Sequence, residues 1–256
     1  MQDSLALDLA AHLDVCVWLE QMTGWSLYPW QADLLRSNGR EDTLCLCHRQ
    51  AGKSSLAGAL GLHIAMNEPR TNVIILAPSL SQSTELLRKS REFARDSTLV
   101  GVDLEHEAEL RLELGNGSRL IALPGSQASE RRIRGYKCRL LILDEAAALD
   151  DLVIHTAIPM LAVSGGAIVA LSTARYRRGW FYDQWAYGGD RWKRVKVVAD
   201  ECRHFAPGHL ERERTSKPAG LYGADYDCNF MAGSGAAFDP EDVAAMLAHP
   251  VQEREL

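Results

Sequence analysis

The chain has 256 residues, 46% hydrophobic and 24% charged, proportions that exclude a disordered or fibrous protein and allow one large core or a main domain with a small appendage. A formal net charge of -6 excludes a protein that coats nucleic acid with its whole surface, though not one with a local basic face. Asp3, Asp8 and Asp14 among the first leucines and alanines leave no basic start for a secretory signal, so a cytoplasmic setting is expected.

The opening stretch to about Arg36 reads as helices, with Leu5, Leu7, Leu9, Leu13 and then Trp30, Leu34, Leu35 at helical spacing. A strand is expected from Thr43 through Cys47. It runs into Gly52-Lys53-Ser54-Ser55, and a helix follows through Met66. Val73 to Ala77 begins a second strand-helix unit, with Ser81 as the expected cap of a charged helix through about Arg95. Glu109 to Leu114 and Arg119 to Leu123 flank Asn116-Gly117, a favoured tight-turn pair, and predict a β-hairpin.

Leu140 to Leu143 is a buried strand ending at Asp144-Glu145, and Ala167 to Leu171 another ending at Ser172-Thr173. The uncharged run from Leu152 to Ala174 has the length of a membrane span. Pro159 and Gly165-Gly166 divide it into helix, turn and strand, and no membrane association is expected. From Arg175 to Lys196, seven Arg or Lys stand against Asp183 and Asp190, while Trp180, Phe181, Trp185 and Trp192 in the same stretch read as core. After Val198 glycines and prolines interrupt the pattern. The expected organisation is a P-loop core with its N-terminal helical segment over 1–198 and a small lid or linker subdomain over 199–256. The six cysteines (Cys16, Cys45, Cys47, Cys138, Cys202, Cys228) show no CxxC spacing and read as buried thiols, Cys45 and Cys47 beside His48 included.

Strands alternating with helices imply a mainly parallel sheet covered on both faces, that is, an α/β fold. Gly52, Lys53 and Ser54 match the second half of the phosphate-loop pattern, with Cys47 where its first glycine belongs. Backbone N–H groups at the start of a helix can receive phosphate oxygens, Lys53 can neutralise β/γ charge, and Ser54 can ligate Mg²⁺. A chance Gly-Lys-Ser at a helix start is the alternative. The apolar strand ending at Asp144-Glu145 weighs against it, because two carboxylates at the C-terminal edge of a parallel sheet lie where such sheets bind ligands. Asp144 would hold Mg²⁺ and Glu145 would orient and deprotonate the attacking water; as a mere helix cap, Asp144 would leave Glu145 unexplained. Mg-dependent hydrolysis of a nucleoside triphosphate is therefore the expected reaction.

In order along the chain, five segments resemble the large terminase subunits of tailed double-stranded DNA bacteriophages. Tyr28-Pro29-Trp30-Gln31 looks like the family's adenine-contacting motif. Arg49-Gln50-Ala51-Gly52-Lys53-Ser54 looks like its variant phosphate loop, which commonly lacks the first glycine. Leu123-Pro124-Gly125-Ser126, then Ile133-Arg134-Gly135-Tyr136 before the strand to Asp144-Glu145-Ala146-Ala147, is the most specific part, and Leu171-Ser172-Thr173-Ala174 resembles the coupling motif.

The resemblance implies a RecA-like P-loop ATPase with ATP and Mg²⁺ as cofactors, hydrolysing ATP to ADP and phosphate, a motor domain that drives double-stranded viral DNA into a procapsid. Implied nucleotide-binding residues are Gln31, Gln50, Ala51, Gly52, Lys53, Ser54 and Ser55. Glu145, Lys53, Arg49 and Arg134 are implied catalytic residues, Arg49 as a sensor of the γ-phosphate and Arg134 as an arginine finger reaching a neighbouring subunit. Ser54 and Asp144 are the implied metal ligands, and Ser172 and Thr173 the coupling residues. Alternatives remain at three of these positions: Gln31 as a solvated helical residue, Arg131, Arg132, Arg134, Lys137 and Arg139 as a solvated basic loop, with Arg139 the second choice after Arg134 for the finger, and Thr173 as a helix cap.

Implied partners are double-stranded DNA, the portal of the procapsid, the small terminase subunit and further copies of the chain in a ring, with a monomer in isolation and the host cytoplasm as the location. The family's nuclease domain is expected to lie beyond these 256 residues, with Ala237-Phe238-Asp239 near the junction. A superfamily 2 helicase-like DNA-dependent ATPase is the alternative, followed by a non-catalytic nucleotide switch, against which Lys53, Asp144 and Glu145 all argue.

Overall fold

The computed structural model describes residues 2–97, 104–126 and 135–232; Arg131, Arg132, Ile133, Arg134 and the expected junction at Ala237-Phe238-Asp239 lie outside the described residues. Three helices open the chain, α1 (Gln2–Leu13), α2 (Val15–Thr23) and α3 (Pro29–Arg36), as the leucine spacing predicts. Asp14 caps α2 by accepting from the Cys16 N–H at 2.8 Å, and Gly24 ends it in the left-handed conformation at φ 68°.

The body is an eight-stranded sheet built from β1 (Thr43–Cys47), β2 (Asn72–Ala77), β3 (Leu104–Ala108), β4 (Arg111–Leu114), β5 (Arg119–Pro124), β6 (Leu140–Asp144), β7 (Ala167–Ser172) and β8 (Lys193–Val197). Their order across the sheet is β3-β4-β5-β2-β6-β7-β1-β8. Six neighbours from β5 to β8 pair in parallel, and β4 runs antiparallel to β3 and β5. Helices α4 (Lys53–Asn67), α5 (Leu80–Asp96), α6 (Asp151–Ala157) and α7 (Trp180–Tyr187) cover it, and the short helices α8 (His209–Ser216) and α9 (Ala219–Tyr226) follow.

Alternation along each strand divides the core into two layers. Cys45, Cys47, Val73, Ile75, Leu140, Ile142, Val169 and Leu171 pack toward α2, α4 and α5. Leu44, Leu46, Ile74, Leu76, Leu141, Leu143, Ile168 and Ala170 pack the other way, toward Val153, Ile154, Trp180 and Phe181. Both faces of the central strands are buried, which is why these strands read as continuous apolar runs. The fold is α/β and RecA-like, as expected.

Connectivity builds the functional edge. The chain leaves β1 through α4 and enters the sheet again at β2, beyond two vacant positions that β6 and β7 later fill. The C-terminal ends of β1, β7 and β6 therefore lie side by side, carrying Cys47, Ser172 and Asp144.

Several local expectations change. The cap of α5 is Ser79, not Ser81: Ser79 has extended backbone and its Oγ accepts from the Gln82 N–H, so the helix begins two residues earlier than expected. The hairpin forms, with Gly117 at φ 81° and Asn116 donating its amide to Ala65 O and Met66 O, so the turn also closes the end of α4. β3 and β8, which have too few apolar residues to stand out, complete the sheet edges. The uncharged run from Leu152 to Ala174 divides into α6, a 3₁₀ turn and β7, and among the described residues no helix is long and apolar enough to cross a membrane. All six cysteines are buried. Much of the basic stretch is occupied at home: Lys193 pairs with Asp33 and Glu41, Arg191 with Asp42, and Arg194 donates to the carbonyls of Gln184, Trp185 and Gly189.

Candidate active site

The phosphate loop starts while the chain is still a strand. Cys47 is the last residue of β1, paired with Val197 and fully buried, so the position that carries the first glycine of the usual pattern has extended backbone here and needs none. The turn is made later, by Gln50 at φ 65° and Gly52 at φ 83°. Left-handed backbone costs an L-residue about 1–2 kcal/mol, and Gln50 bears that cost while Gly52 does not. Lys53 then opens α4 with its side chain folded back across the loop, Nζ 3.4 Å from His48 O.

Lys53 Nζ also lies 3.7 Å from Glu145 Oε1, with the lysine 6% and the glutamate 29% exposed. Glu145 owes its position to a kink at the end of β6: its backbone is left-handed (φ 49°, ψ 46°) and begins the 3₁₀ turn Ala146–Ala148. Such a conformation in a non-glycine residue costs on the order of 1–3 kcal/mol and persists where neighbours enforce it. Two do so from β7. Ser172 Oγ accepts from the Ala147 N–H at 3.1 Å, and Thr173 Oγ1 donates to Glu145 Oε2 at 3.4 Å.

Asp144 is 4% exposed, and its Oδ2 accepts from Ser54 Oγ at 2.8 Å. Its Oδ1 is buried without a partner among the described residues. Burial, and after it the charge of Glu145, pushes the Asp144 carboxyl above the usual carboxylate range. An orphaned carboxylate oxygen beside a serine hydroxyl on a cavity wall is a donor set of hard oxygens that fits Mg²⁺, which binds through one or two such groups and completes its shell with water and phosphate oxygens.

The other expected residues are distributed around this centre. Gln31 sits beside the loop, its Nε2 3.8 Å from the point a side-chain carbon on Gly52 would occupy, but its Oε1 accepts from the Tyr28 N–H at 2.9 Å. The acceptor end thus starts α3, and the donor end faces the loop. Arg49 is 63% exposed and held by Asp225 of α9, through the side chain (3.5 Å) and through its own N–H to Asp225 O (2.8 Å). Lys217 shares that carboxylate at 2.8 Å. Arg139, next to the basic loop, is consumed structurally: it grips Glu68 with two nitrogens and donates to Gly39 O.

Two cavities flank Glu145. One, of about 230 Å³, is lined by Ser54, Asp144, Glu145 and residues of α5; the other, of about 650 Å³, by Arg49, Glu145, Thr173, Lys217 and Asp225 among others. Neither Asp225 nor the α5 face was singled out by sequence reasoning. Isolated polar residues on helices carry no signal until the fold turns them toward the loop.

A family model described as "Terminase large subunit, T4likevirus-type, N-terminal" matches residues 44–244. Among solved structures, the large terminase ATPase domain of Thermus phage P74-26 is similar with a TM-score of 0.67 at 19% identity, over 83% of this chain and 97% of that one. The large terminase of a thermophilic bacteriophage in complex with ATP-gamma-S gives a TM-score of 0.65 at 12% identity, over 80% and 53% of the two chains. For the large terminase of bacteriophage HK97 the values are 0.55 and 17%, over 86% and 46%. The present chain spans about half the length of the last two. At these identities the structural likeness speaks to the fold. No curated protein matches the chain in sequence.

Proposed function

This chain belongs to the terminase large subunit family, T4-like-virus type, as an ATPase motor domain for DNA packaging, and we propose that its hydrolysis is carried out by Glu145 across the Lys53–Ser54–Asp144 cradle. The observation that supports this most is Glu145 itself, fixed at the sheet edge by Thr173 on one oxygen and facing Lys53 with the other.

Lys53 and the N–H groups from Gln50 to Ser55 bind the phosphates. Ser54 and Asp144 would hold Mg²⁺, which when bound neutralises charge on the β- and γ-oxygens. Glu145 takes a proton from the attacking water. Thr173 keeps its carboxylate aimed, Ser172 supports the turn behind it, and this pair is the route by which a change at the γ-phosphate reaches β7. Gln31 contacts the base. Arg49 senses the γ-phosphate, and Arg134 completes the site of the next subunit as an arginine finger, a contribution of about 10³–10⁵ in rate where such a cation operates.

The proposed partners are double-stranded DNA, the portal of the procapsid, the small terminase subunit and further copies in a ring, in the host cytoplasm. The 1–198 core and 199–256 lid division is part of the same reading. A helicase-like ATPase shares the adenine motif and acidic strand, so the deciding experiment measures ATP turnover with nucleic acid alone and with portal-bearing procapsids. Stimulation that requires the procapsid supports packaging; full stimulation by nucleic acid alone, unchanged by procapsids, would overturn it.

A further inference from the structure

Helix α5 turns one face toward the two carboxylates at the end of β6. Gln82, Glu85, Leu86 and Lys89, at the spacing of one helical face, line the smaller cavity opposite Ser54, Asp144 and Glu145. Gln82 lines the larger cavity as well, together with Glu145, Thr173 and Arg49. Among the described residues, Gln82 and Glu145 are the two that line both cavities.

The start of the helix explains how the side chain is held. Ser79 Oγ accepts from the Gln82 N–H at 3.3 Å and donates to Gln82 Oε1 at 2.8 Å, which draws the carboxamide back over the first turn. A carboxamide oxygen has two lone pairs and its nitrogen two hydrogens. One lone pair is taken by Ser79, and Nε2 makes no hydrogen bond among the described residues. An exposed glutamine near a helix start ordinarily does no more than complete a capping box. This one faces a general base and leaves an acceptor site and both donors for something that enters the cavity.

The geometry points to Gln82 as a water-orienting residue of ATP hydrolysis, an inference that rests on Glu145 being the base. In the reaction the water oxygen forms a bond to the γ-phosphorus as the bond from that phosphorus to the β,γ-bridging oxygen breaks. The bonding electron pair leaves with ADP, and one water proton passes to Glu145 and then to the released phosphate. A water bound only to Glu145 can still rotate about that hydrogen bond. Gln82 removes the freedom by accepting the second water hydrogen on Oε1 while Nε2 donates to a γ-phosphoryl oxygen, the task that a glutamine performs in GTPases.

The test uses the whole chain and three variants, Gln82→Ala, Ser79→Ala and Glu145→Gln, with ATP turnover, affinity for ATP-gamma-S and thermal stability measured for each. Gln82→Ala should lose on the order of 10²-fold in kcat with nucleotide affinity close to wild type. Ser79→Ala removes both the cap and the hold on Gln82 Oε1 but leaves the glutamine in place, and should lower the melting temperature at least as far as Gln82→Ala with a clearly smaller loss of turnover. A merely structural Gln82 gives the opposite ranking: turnover would follow melting temperature across the two variants. Wild-type kcat in Gln82→Ala, or an equal loss in Ser79→Ala, overturns the assignment. If Gln82→Ala is fully active while Glu145→Gln is dead, the Gln82 role alone fails. If Glu145→Gln turns over normally, the reading beneath it fails too.

Discussion

Thr173 Oγ1 donates a hydrogen bond to Glu145 Oε2 at 3.4 Å, between the residues that immediately follow two adjacent parallel strands. The bond ties the proposed base to the end of β7, whose last residue, Ser172, braces the turn after Glu145 through the Ala147 N–H. Both ends of the kink therefore depend on one strand.

Replacing Thr173 by Val removes the hydroxyl with little change in volume. Turnover should fall on the order of 10-fold or more, since an unheld carboxylate samples orientations that cannot take the proton, while nucleotide affinity stays near wild type. Thr173→Ser keeps the hydroxyl and should restore most of the rate. Steady-state kinetics of the two variants check this; an equal loss in both would assign the effect to packing rather than to the hydrogen bond.

Asp144 makes a prediction about pH. Burial raises its pKa above the ordinary value of 3.8, so without metal the folded domain holds the proton more tightly than the unfolded chain does. Its favourable contribution is complete below that ordinary value and is lost as pH rises through the raised folded value. Asp144→Asn cannot ionise. In metal-free buffer it should therefore become the more stable protein as pH rises, and Mg²⁺ should stabilise the wild type but not the variant. Melting temperatures across pH, with and without Mg²⁺, measure both effects. Equal stabilisation of the two proteins by Mg²⁺ would remove Asp144 as a ligand.

Two arginines that precede β6 in the sequence should separate cleanly. Arg139 is bound to Glu68 and to Gly39 O, so Arg139→Ala should cost about 1–3 kcal/mol of stability and leave turnover per folded molecule unchanged. Arg134→Ala should leave the melting temperature alone and remove any gain in turnover on assembly. Mixed rings of Arg134→Ala and Glu145→Gln subunits should regain the turnover gained on assembly, which neither variant shows alone, where an intact arginine meets an intact base. No recovery in rings shown to contain both subunits would count against a finger supplied in trans.

The strand-loop-helix around Lys53 and the acidic pair at Asp144 were legible because both depend on local sequence: an apolar run delivers a polar pair to a sheet edge. The departure at Cys47 was legible as a departure, but its reason, that β1 continues through it, is a property of pairing with Val197. β3 and β8 were not legible, since edge strands bury one face or less and so carry weak apolar patterns. Nor was the engagement of Arg49 with Asp225, residues far apart in the chain that meet only when α9 packs beside the loop. Gln82 carried a local signal, the Ser79-x-x-Gln82 spacing of a capping box, that pointed to a helix start and hid its second setting opposite Glu145.

The central claim is that Glu145 is the base of an ATP hydrolysis for which Lys53, Ser54 and Asp144 hold the substrate. Glu145→Gln keeps the size and the ability to accept from Thr173 while removing the basicity. Its ATP affinity and its turnover, measured on the same preparation, test the claim most directly. The account predicts wild-type affinity with turnover lowered by about 10²–10⁴-fold. Wild-type turnover in this variant would contradict it.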